Sequence, residues 1–181
     1  MARVKAGEQS ALELLFARWE SRVFAFFYRL GGPPARLGDL TEEVLVSVYR
    51  QRHRYDPGRP FAPWLYGVAR LVWKDYLRRR RRDELHGASL ELARSVPADE
   101  PGPAAVAESR EEVAVIRQAI QRLPDEQRMV FTLRHFEGLA YEEIAEVLQI
   151  PLGTVKWRLH EAVRRLETTL VESRGRGARE R

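Results

Sequence analysis

Arginine and aromatic side chains crowd one stretch of this 181-residue chain. Arg50, Arg52, His53, Arg54, Tyr55, Arg59, Phe61 and Trp64 lie close together, and Arg70, Trp73, Lys74 and the unbroken run Arg78 to Arg82 follow. An aromatic ring offers a face on which an unstacked base can lie, and a guanidinium fork suits a phosphate or a guanine edge, so the mixture fits single-stranded nucleic acid. Taken singly, Phe61 and Trp64 fit a hydrophobic core better, and arginines at a helix end are also favoured by the helix dipole. The concentration of both types around one loop favours strand binding.

A second constellation runs from Tyr141 to Leu170. Tyr-Glu-Glu-Ile-Ala-Glu-Val-Leu is followed by a short break at Gln149, Ile150 and Pro151, and then by Leu-Gly-Thr-Val-Lys-Trp-Arg-Leu-His-Glu-Ala-Val-Arg-Arg-Leu. At about 100° per residue, Leu152, Val155, Leu159, Ala162, Val163, Leu166 and Leu170 share one face. Trp157, Glu161 and Arg164 point nearly opposite, flanked by Lys156 and His160 on one side and Arg158 and Arg165 on the other. Pro151 suits a helix start, where its missing N–H would be unpaired anyway. Ile144, Ala145 and Leu148 give the preceding helix its own apolar stripe. Two helices with this joint form a helix-turn-helix, whose second helix enters a DNA major groove. A solvated charged face would look similar on the second helix alone; the first helix and the short joint favour the DNA reading.

Other chemistries find little support. His53, His86, His135 and His160 lie far apart, and none stands at metal-ligand spacing from another ligand type. Gly31-Gly32 is followed by prolines rather than by a phosphate-cradling Lys-Ser or Lys-Thr. No Gly-x-Ser-x-Gly elbow occurs. Cysteine is absent, which removes disulfide and thiolate chemistry. No catalytic residue, metal or cofactor is expected.

The elements that would position these residues read as helices throughout. Ser10-Ala-Leu-Glu13 is a capping-box pattern that opens a helix to about Leu30, carrying Leu12, Leu15, Phe16, Trp19, Val23, Phe26, Phe27 and Leu30 on one stripe. Gly31-Gly32-Pro33-Pro34 stops it. Asp39-Leu-Thr-Glu42 repeats the capping pattern and opens a second helix with Leu40, Val44, Leu45 and Val48. Asp56 to Pro60 is a turn cluster. A third helix from about Pro63 to Arg82 buries Leu65, Val68, Ala69, Val72, Tyr76 and Leu77. A linker follows, rich in Pro, small and acidic residues, with room for a brief helix near Leu85 to Leu92. Val113, Ile116, Ile120 and Leu123 mark the next helix. Leu123-Pro124-Asp125 breaks it and starts another with Val130, Leu133 and Phe136, and Gly138 leads into the helix-turn-helix.

Charge follows the same division. The net charge is +5 and the pI about 9.9. Residues 1–82 hold seventeen Lys and Arg against eight Asp and Glu, residues 83–112 hold two against eight, and residues 113–181 hold twelve against ten. Two basic-to-neutral blocks flank an acidic connector, and an anionic partner fits them. No apolar run is long enough to span a membrane and no signal-peptide core appears at the N-terminus, so a cytoplasmic location is expected. Asparagine is absent and lysine occurs only at positions 5, 74 and 156, which suits a GC-rich coding sequence.

The motifs Asp39-Leu40-Thr-Glu-Glu43-Val44, Trp64-Leu65-Tyr-Gly-Val-Ala69-Arg70 and Asp75-Tyr-Leu77-Arg78-Arg79 resemble region 2 of an ECF (extracytoplasmic function, group IV) RNA polymerase sigma factor of the sigma-70 family. Leu123-Pro124, Arg128, Val130 to Arg134, Glu137-Gly138-Leu139, Tyr141 to Ala145 and Gly153 to Lys156 resemble its region 4. The resemblance covers about residues 10–82 and 112–170. It implies an all-α fold of two small helical domains joined by a flexible acidic linker. A three-to-four-helix region 2 bundle would span residues 8–82, a linker 83–111, a region 4 helix-turn-helix 112–172 and a disordered tail 173–181.

The resemblance further implies a promoter-recognition subunit. Asp39, Leu40, Glu42, Glu43, Val44 and Tyr49 would dock on the clamp helices of the polymerase β′ subunit. Arg52, Arg54, Tyr55, Phe61, Trp64, Arg70, Lys74, Arg78 and Arg79 would melt and hold the −10 element, base extrusion being offset by pocket contacts. Tyr141, Thr154, Lys156, Trp157, Arg158, His160, Glu161, Arg164 and Arg165 would read the −35 element, with their domain on the β flap. An anti-sigma factor would hold the protein in reserve. Several positions depart from the family pattern. Glu42 stands where glutamine is common, Leu45 where phenylalanine is, and Leu71 where asparagine is. Ala140 replaces a usual Ser or Thr cap, Trp157 a usual serine and Glu161 a usual basic residue, so a −35 preference unlike the common one is expected. A stand-alone helix-turn-helix regulator is the alternative, but it has no need of the residues between 39 and 82.

Overall fold

The computed structural model describes residues 1–85 and 114–177, and all regular structure among them is helical. The described residues fall into two compact units, the first formed in the main by residues 1–85 and the second in the main by residues 114–177. Most of the expected linker, the brief helix beyond Leu85, Val113 and residues 178–181 lie outside the described residues.

In the first unit a short helix α1 (Ala2–Lys5) precedes α2 (Gln9–Arg29), α3 (Pro34–Arg50), a single 3-10 turn (Arg52–Arg54) and α4 (Phe61–Leu85). Trp19, Val23, Phe26, Phe27 and Leu30 of α2 are buried as their spacing predicts. The Ser10-to-Glu13 pattern does not cap α2, because Ser10 already lies inside the helix and its hydroxyl donates to Glu8. Gly31, at φ +84, closes α2 in a left-handed turn, with the Gly32 N–H donating to the Phe27 carbonyl. A Cβ on Gly32 would stand 2.8 Å from Leu37 and 3.0 Å from the Phe27 carbonyl oxygen, so only glycine fits there without movement. Pro33 and Pro34 do more than end α2. Pro33 is the cap residue of α3 and Pro34 its first residue. The second helix therefore begins one and a half turns before Asp39, which sits inside it and accepts from Arg36.

Helix α4 is gripped by α2 and α3 together, so its apolar arc is wider than a single stripe. Leu65, Tyr66, Val68, Ala69, Val72 and Trp73 are all buried. Tyr66 lies edge-on to Trp19 and tilted against Phe26, while Trp73 stacks on Phe27 at 5.9 Å between ring centres. Such aromatic pairs add roughly 0.5–1.5 kcal/mol each beyond the area they bury.

In the second unit, α5 (residues 114–121) leads to α6 (Asp125–His135), α7 (Tyr141–Leu148) and α8 (Leu152–Gly177). Ala119, Ile120, Leu123, Ala162 and Leu166 form a core joining α5 to α8, with Phe131 and Leu170 packed against it. Ile116 and Phe136, expected inside, are about half exposed. Arg128 braces the α5–α6 joint by donating to the Gln121 carbonyl at 2.5 Å and to the Asp125 carboxylate. The last helix runs on through Gly177, into the segment expected as a tail.

The joint between α7 and α8 has a defined cause. Gln149 takes φ +56, the Ile150 N–H donates to the Ala145 carbonyl at 3.1 Å and the Gln149 N–H to the Glu146 carbonyl at 3.3 Å. This closes α7 in a Schellman motif, and Pro151, expected as a first helical residue, instead caps α8, its carbonyl accepting from the Thr154 and Val155 N–H groups. At the other end of α7, Ala140 occupies the cap position without a capping hydroxyl. Glu143 still supplies the reciprocal half of a capping box, accepting from the Ala140 N–H at 2.7 Å. Ala140→Ser is expected to complete the box and stabilise the unit by about 1 kcal/mol, read as a shift in the urea midpoint at unchanged slope.

Candidate nucleic-acid interface

The N-terminal face is built on α4 and the loop before it. With Leu65, Tyr66, Ala69 and Trp73 turned inward, helical geometry leaves Trp64, Gly67, Arg70, Leu71, Lys74 and Arg78 on the outer side. Lys74, Arg78 and Leu71 are exposed, and Trp64 and Arg70 are half-buried. A Cβ on Gly67 would meet nothing within 4 Å, so the helix backbone is approachable there. Trp73, grouped by sequence with the strand-binding residues, belongs to the core instead.

The loop is organised by Tyr55, which is 5% exposed and was expected to touch DNA. Its ring packs edge-on to Phe61 and tilted against Trp64, and its hydroxyl donates to the Arg59 carbonyl at 2.5 Å. Burial, and then the Asp56 carboxylate, pushes the Tyr55 phenol pKa up, which keeps it a donor. Tyr55 is thus the loop's inner post rather than a stacking surface. The Gly58 N–H donates to the Asp56 carboxylate at 2.9 Å and the Arg59 N–H to the Asp56 carbonyl at 3.1 Å, fixing the turn. This leaves His53, Arg54 and Arg59 exposed on the outside. The Arg52 guanidinium lies 4.1 Å from the centre of the Tyr49 ring and donates to the Tyr49 carbonyl at 2.9 Å.

Of the residues expected to dock on polymerase, the structure separates two kinds. Leu40 and Val44 are 3% and 0% exposed and hold α3 against the core, so they cannot be contact residues. Asp39, Glu42, Glu43 and Tyr49 are exposed on the same helix. Glu43 accepts two hydrogen bonds from Arg79, at 3.1 and 3.3 Å. Arg78 pairs with Asp75 and Arg80 with Glu84. Exposed pairs of this kind are worth about 0–1 kcal/mol, so these arginines can trade a carboxylate for a phosphate at little cost.

In the second unit Val155, Leu159, Ala162 and Leu166 are buried behind α8, while Lys156, Trp157, His160, Arg164 and Arg165 are exposed in front. Val147, absent from the sequence-derived stripe of α7, is buried with Ile144 and Leu148. Thr154 is half-buried in the first turn. Two expected groove residues are engaged elsewhere. Arg158, 17% exposed, pairs with Glu126 at the start of α6. Tyr141 lies under the Arg134 guanidinium, which also donates to the Leu139 carbonyl at 3.0 Å. Both steady the helix-turn-helix from behind. Glu161 accepts from Arg164 at 2.8 and 3.1 Å, and that bond holds its carboxyl pKa below the ordinary range. The pair makes one neutral unit on the outer side of α8 instead of a free carboxylate. Among the described residues there is no group of three or more potential ligands that could hold a metal, and no helix long and apolar enough to cross a membrane.

Residues 15–83 match the model of sigma-70 region 2, and residues 114–166 match that of sigma-70 region 4. The chain is 31% identical over 172 residues to the ECF RNA polymerase sigma factor SigW of Bacillus subtilis, covering 90% of this chain and 92% of that protein. It is 34% identical over 175 residues to the RNA polymerase sigma factor CarQ of Myxococcus xanthus, covering 95% and 96%. The ECF RNA polymerase sigma factor SigE of Mycolicibacterium smegmatis is 33% identical over 169 residues, of which the match spans 92% of this chain and 65% of that one. Among solved structures, the sigma factor RpoE in complex with the anti-sigma factor NepR from Bartonella quintana has a TM-score of 0.74 at 19% identity, covering 87% of this chain and 95% of that one. The chain belongs to the sigma-70 family, in its ECF group, and is a promoter-directing subunit of RNA polymerase.

Proposed function

We propose that the work of promoter recognition divides between the faces described above. The outer side of α3, with Asp39, Glu42, Glu43 and Tyr49, docks on the clamp helices of the polymerase β′ subunit. Arg52, Arg54, Phe61, Trp64, Arg70, Lys74, Arg78 and Arg79 engage the −10 element as it opens. Thr154, Lys156, Trp157, His160, Glu161, Arg164 and Arg165 read the −35 element as duplex, with their domain on the β flap. The protein catalyses nothing itself and works in the cytoplasm. An anti-sigma factor holds it in reserve, a reading supported by the anti-sigma complexes in which its structural relatives were solved.

The observation that carries this division is the difference in kind between the two faces. The first combines half-buried aromatics, cations and an approachable backbone, which suits separated strands. The second is one regular helix bearing an exposed polar face, which suits the major groove. Asp39→Arg combined with Glu42→Arg is expected to lower affinity for sigma-free core polymerase by at least about tenfold, in line with charge reversals at interfaces. Binding to a −35 duplex and the thermal midpoint are expected to stay near the wild-type values. Undiminished polymerase binding by the double variant would remove α3 from the docking surface.

A further inference from the structure

The short helix α1 lies ahead of the matched region 2 residues, yet it is tied to the loop that carries His53, Arg54 and Arg59. Val4 is 1% exposed, the most deeply buried side chain of the first ten residues whose side chains are described. α1 packs against the 3-10 turn Arg52–Arg54. The Lys5 ammonium reaches across fifty positions of sequence to donate to the Tyr55 carbonyl at 3.2 Å. Tyr55 is the inner post of the loop, so its carbonyl is a direct handle on the loop's position.

α1 is itself anchored. Gly7 takes φ +87, the Glu8 N–H donates to the Arg3 carbonyl at 3.1 Å, and the Arg3 guanidinium pairs with the Glu8 carboxylate. The Leu12 N–H then donates to the Glu8 carbonyl at 3.2 Å, which joins this turn to α2. A continuous chain of bonds therefore runs from α2 through α1 to the Tyr55 carbonyl. Besides this tie, the loop between Gln51 and Pro60 is held by its own turn bonds, by Arg52 on the Tyr49 carbonyl and ring at the end of α3, and by the aromatic packing of Tyr55.

We infer that α1 is a latch for this loop, with Lys5 and Val4 as positioning residues that fix where Arg54 and its neighbours meet the opened strand. A bound strand needs its cations preset, because ordering a loop on binding weakens affinity. Lys5 itself touches no DNA in this scheme. The inference rests on reading the loop as a −10 contact element.

The test uses the full chain assembled with core polymerase. The probes are a single-stranded oligonucleotide carrying the non-template −10 segment of a promoter selected with the wild-type holoenzyme, and a −35 duplex from that promoter. Lys5→Met keeps the aliphatic stem and removes the donor. It is expected to weaken single-strand binding about tenfold, the scale of a lost hydrogen bond from a charged group, and to leave −35 binding unchanged. Lys5→Arg restores the donor and is expected to bind near wild type. Arg54→Ala should weaken single-strand binding in the wild-type background and do so much less alongside Lys5→Met, because an unlatched loop no longer presents Arg54. Wild-type strand binding by Lys5→Met, with Arg54→Ala impaired, overturns the latch alone. Equal loss on both probes by Lys5→Met also overturns it, since that marks general unfolding. Full strand binding by Arg54→Ala combined with Arg52→Ala overturns the loop reading, and the latch with it.

Discussion

Trp73→Ala is expected to unfold the first unit near ordinary temperature, whereas Lys74→Ala, one residue further on, is expected to leave it folded. Trp73 is 5% exposed, stacks on Phe27 and packs against Tyr76 at 5.2 Å. It also closes over the tight approach at Gly32, where a Cβ would lie 3.5 Å from the indole. Truncating a buried tryptophan costs about 3–5 kcal/mol, and a domain of this size holds only some 5–15 kcal/mol in all, commonly toward the low end. Urea unfolding followed by circular dichroism reads the difference directly. Lys74 is exposed, about 100° further round the helix and clear of the core, so its loss should change stability by less than about 0.5 kcal/mol. It should instead reduce the salt dependence of DNA binding by about one phosphate contact. A stable Trp73→Ala protein with impaired strand binding would place the indole on the DNA face after all.

Trp157→Ser is expected to alter which promoters are used without altering stability. The indole is 60% exposed in the middle of the outer face of α8, so its removal opens no hole in the core. An apolar surface in a major groove gains most against a thymine methyl. The variant should therefore lose preference at one base pair of the −35 element, at a cost of about 1–3 kcal/mol on the wild-type's own promoters. Selection from a library randomised across the −35 element compares the two proteins. Identical consensus sequences from both would remove Trp157 from base recognition. Glu161→Gln gives an independent reading of the same face. It breaks the bidentate pair with Arg164 and should raise non-specific affinity by freeing a guanidinium for phosphate.

Much of the architecture was legible in the spacing of apolar residues. The stripes of α2 and α8 were read almost residue by residue, because each helix buries one face. α4 was read less completely, because two neighbours grip it and its apolar arc takes in Tyr66 and Trp73 beside the expected stripe. Aromatic residues near arginines look alike in sequence whether they line a core or a groove, so sequence alone points Tyr55 and Trp73 outward while folding buries both. Local capping patterns misled for a similar reason. Asp39-Leu-Thr-Glu42 has the right residues for a helix start, but Pro33-Pro34 begins the helix earlier and leaves Asp39 inside it. Leu40 and Val44 came in with a motif whose apolar members serve the fold and whose polar members face outward. The pairing of Arg158 with Glu126, the Arg128 brace and the Lys5 tether depend on residues brought together by folding, and no local pattern announces them.

As a promoter-directing subunit, this chain makes core RNA polymerase start at particular promoters. In-vitro transcription with sigma-free core enzyme, the purified full-length chain and a library of promoter fragments tests it in one assay. Discrete transcripts starting a fixed distance downstream of paired −35 and −10 elements, and absent without the chain, are the expected result. A chain that binds such fragments yet neither joins the core enzyme nor yields a defined start would contradict it.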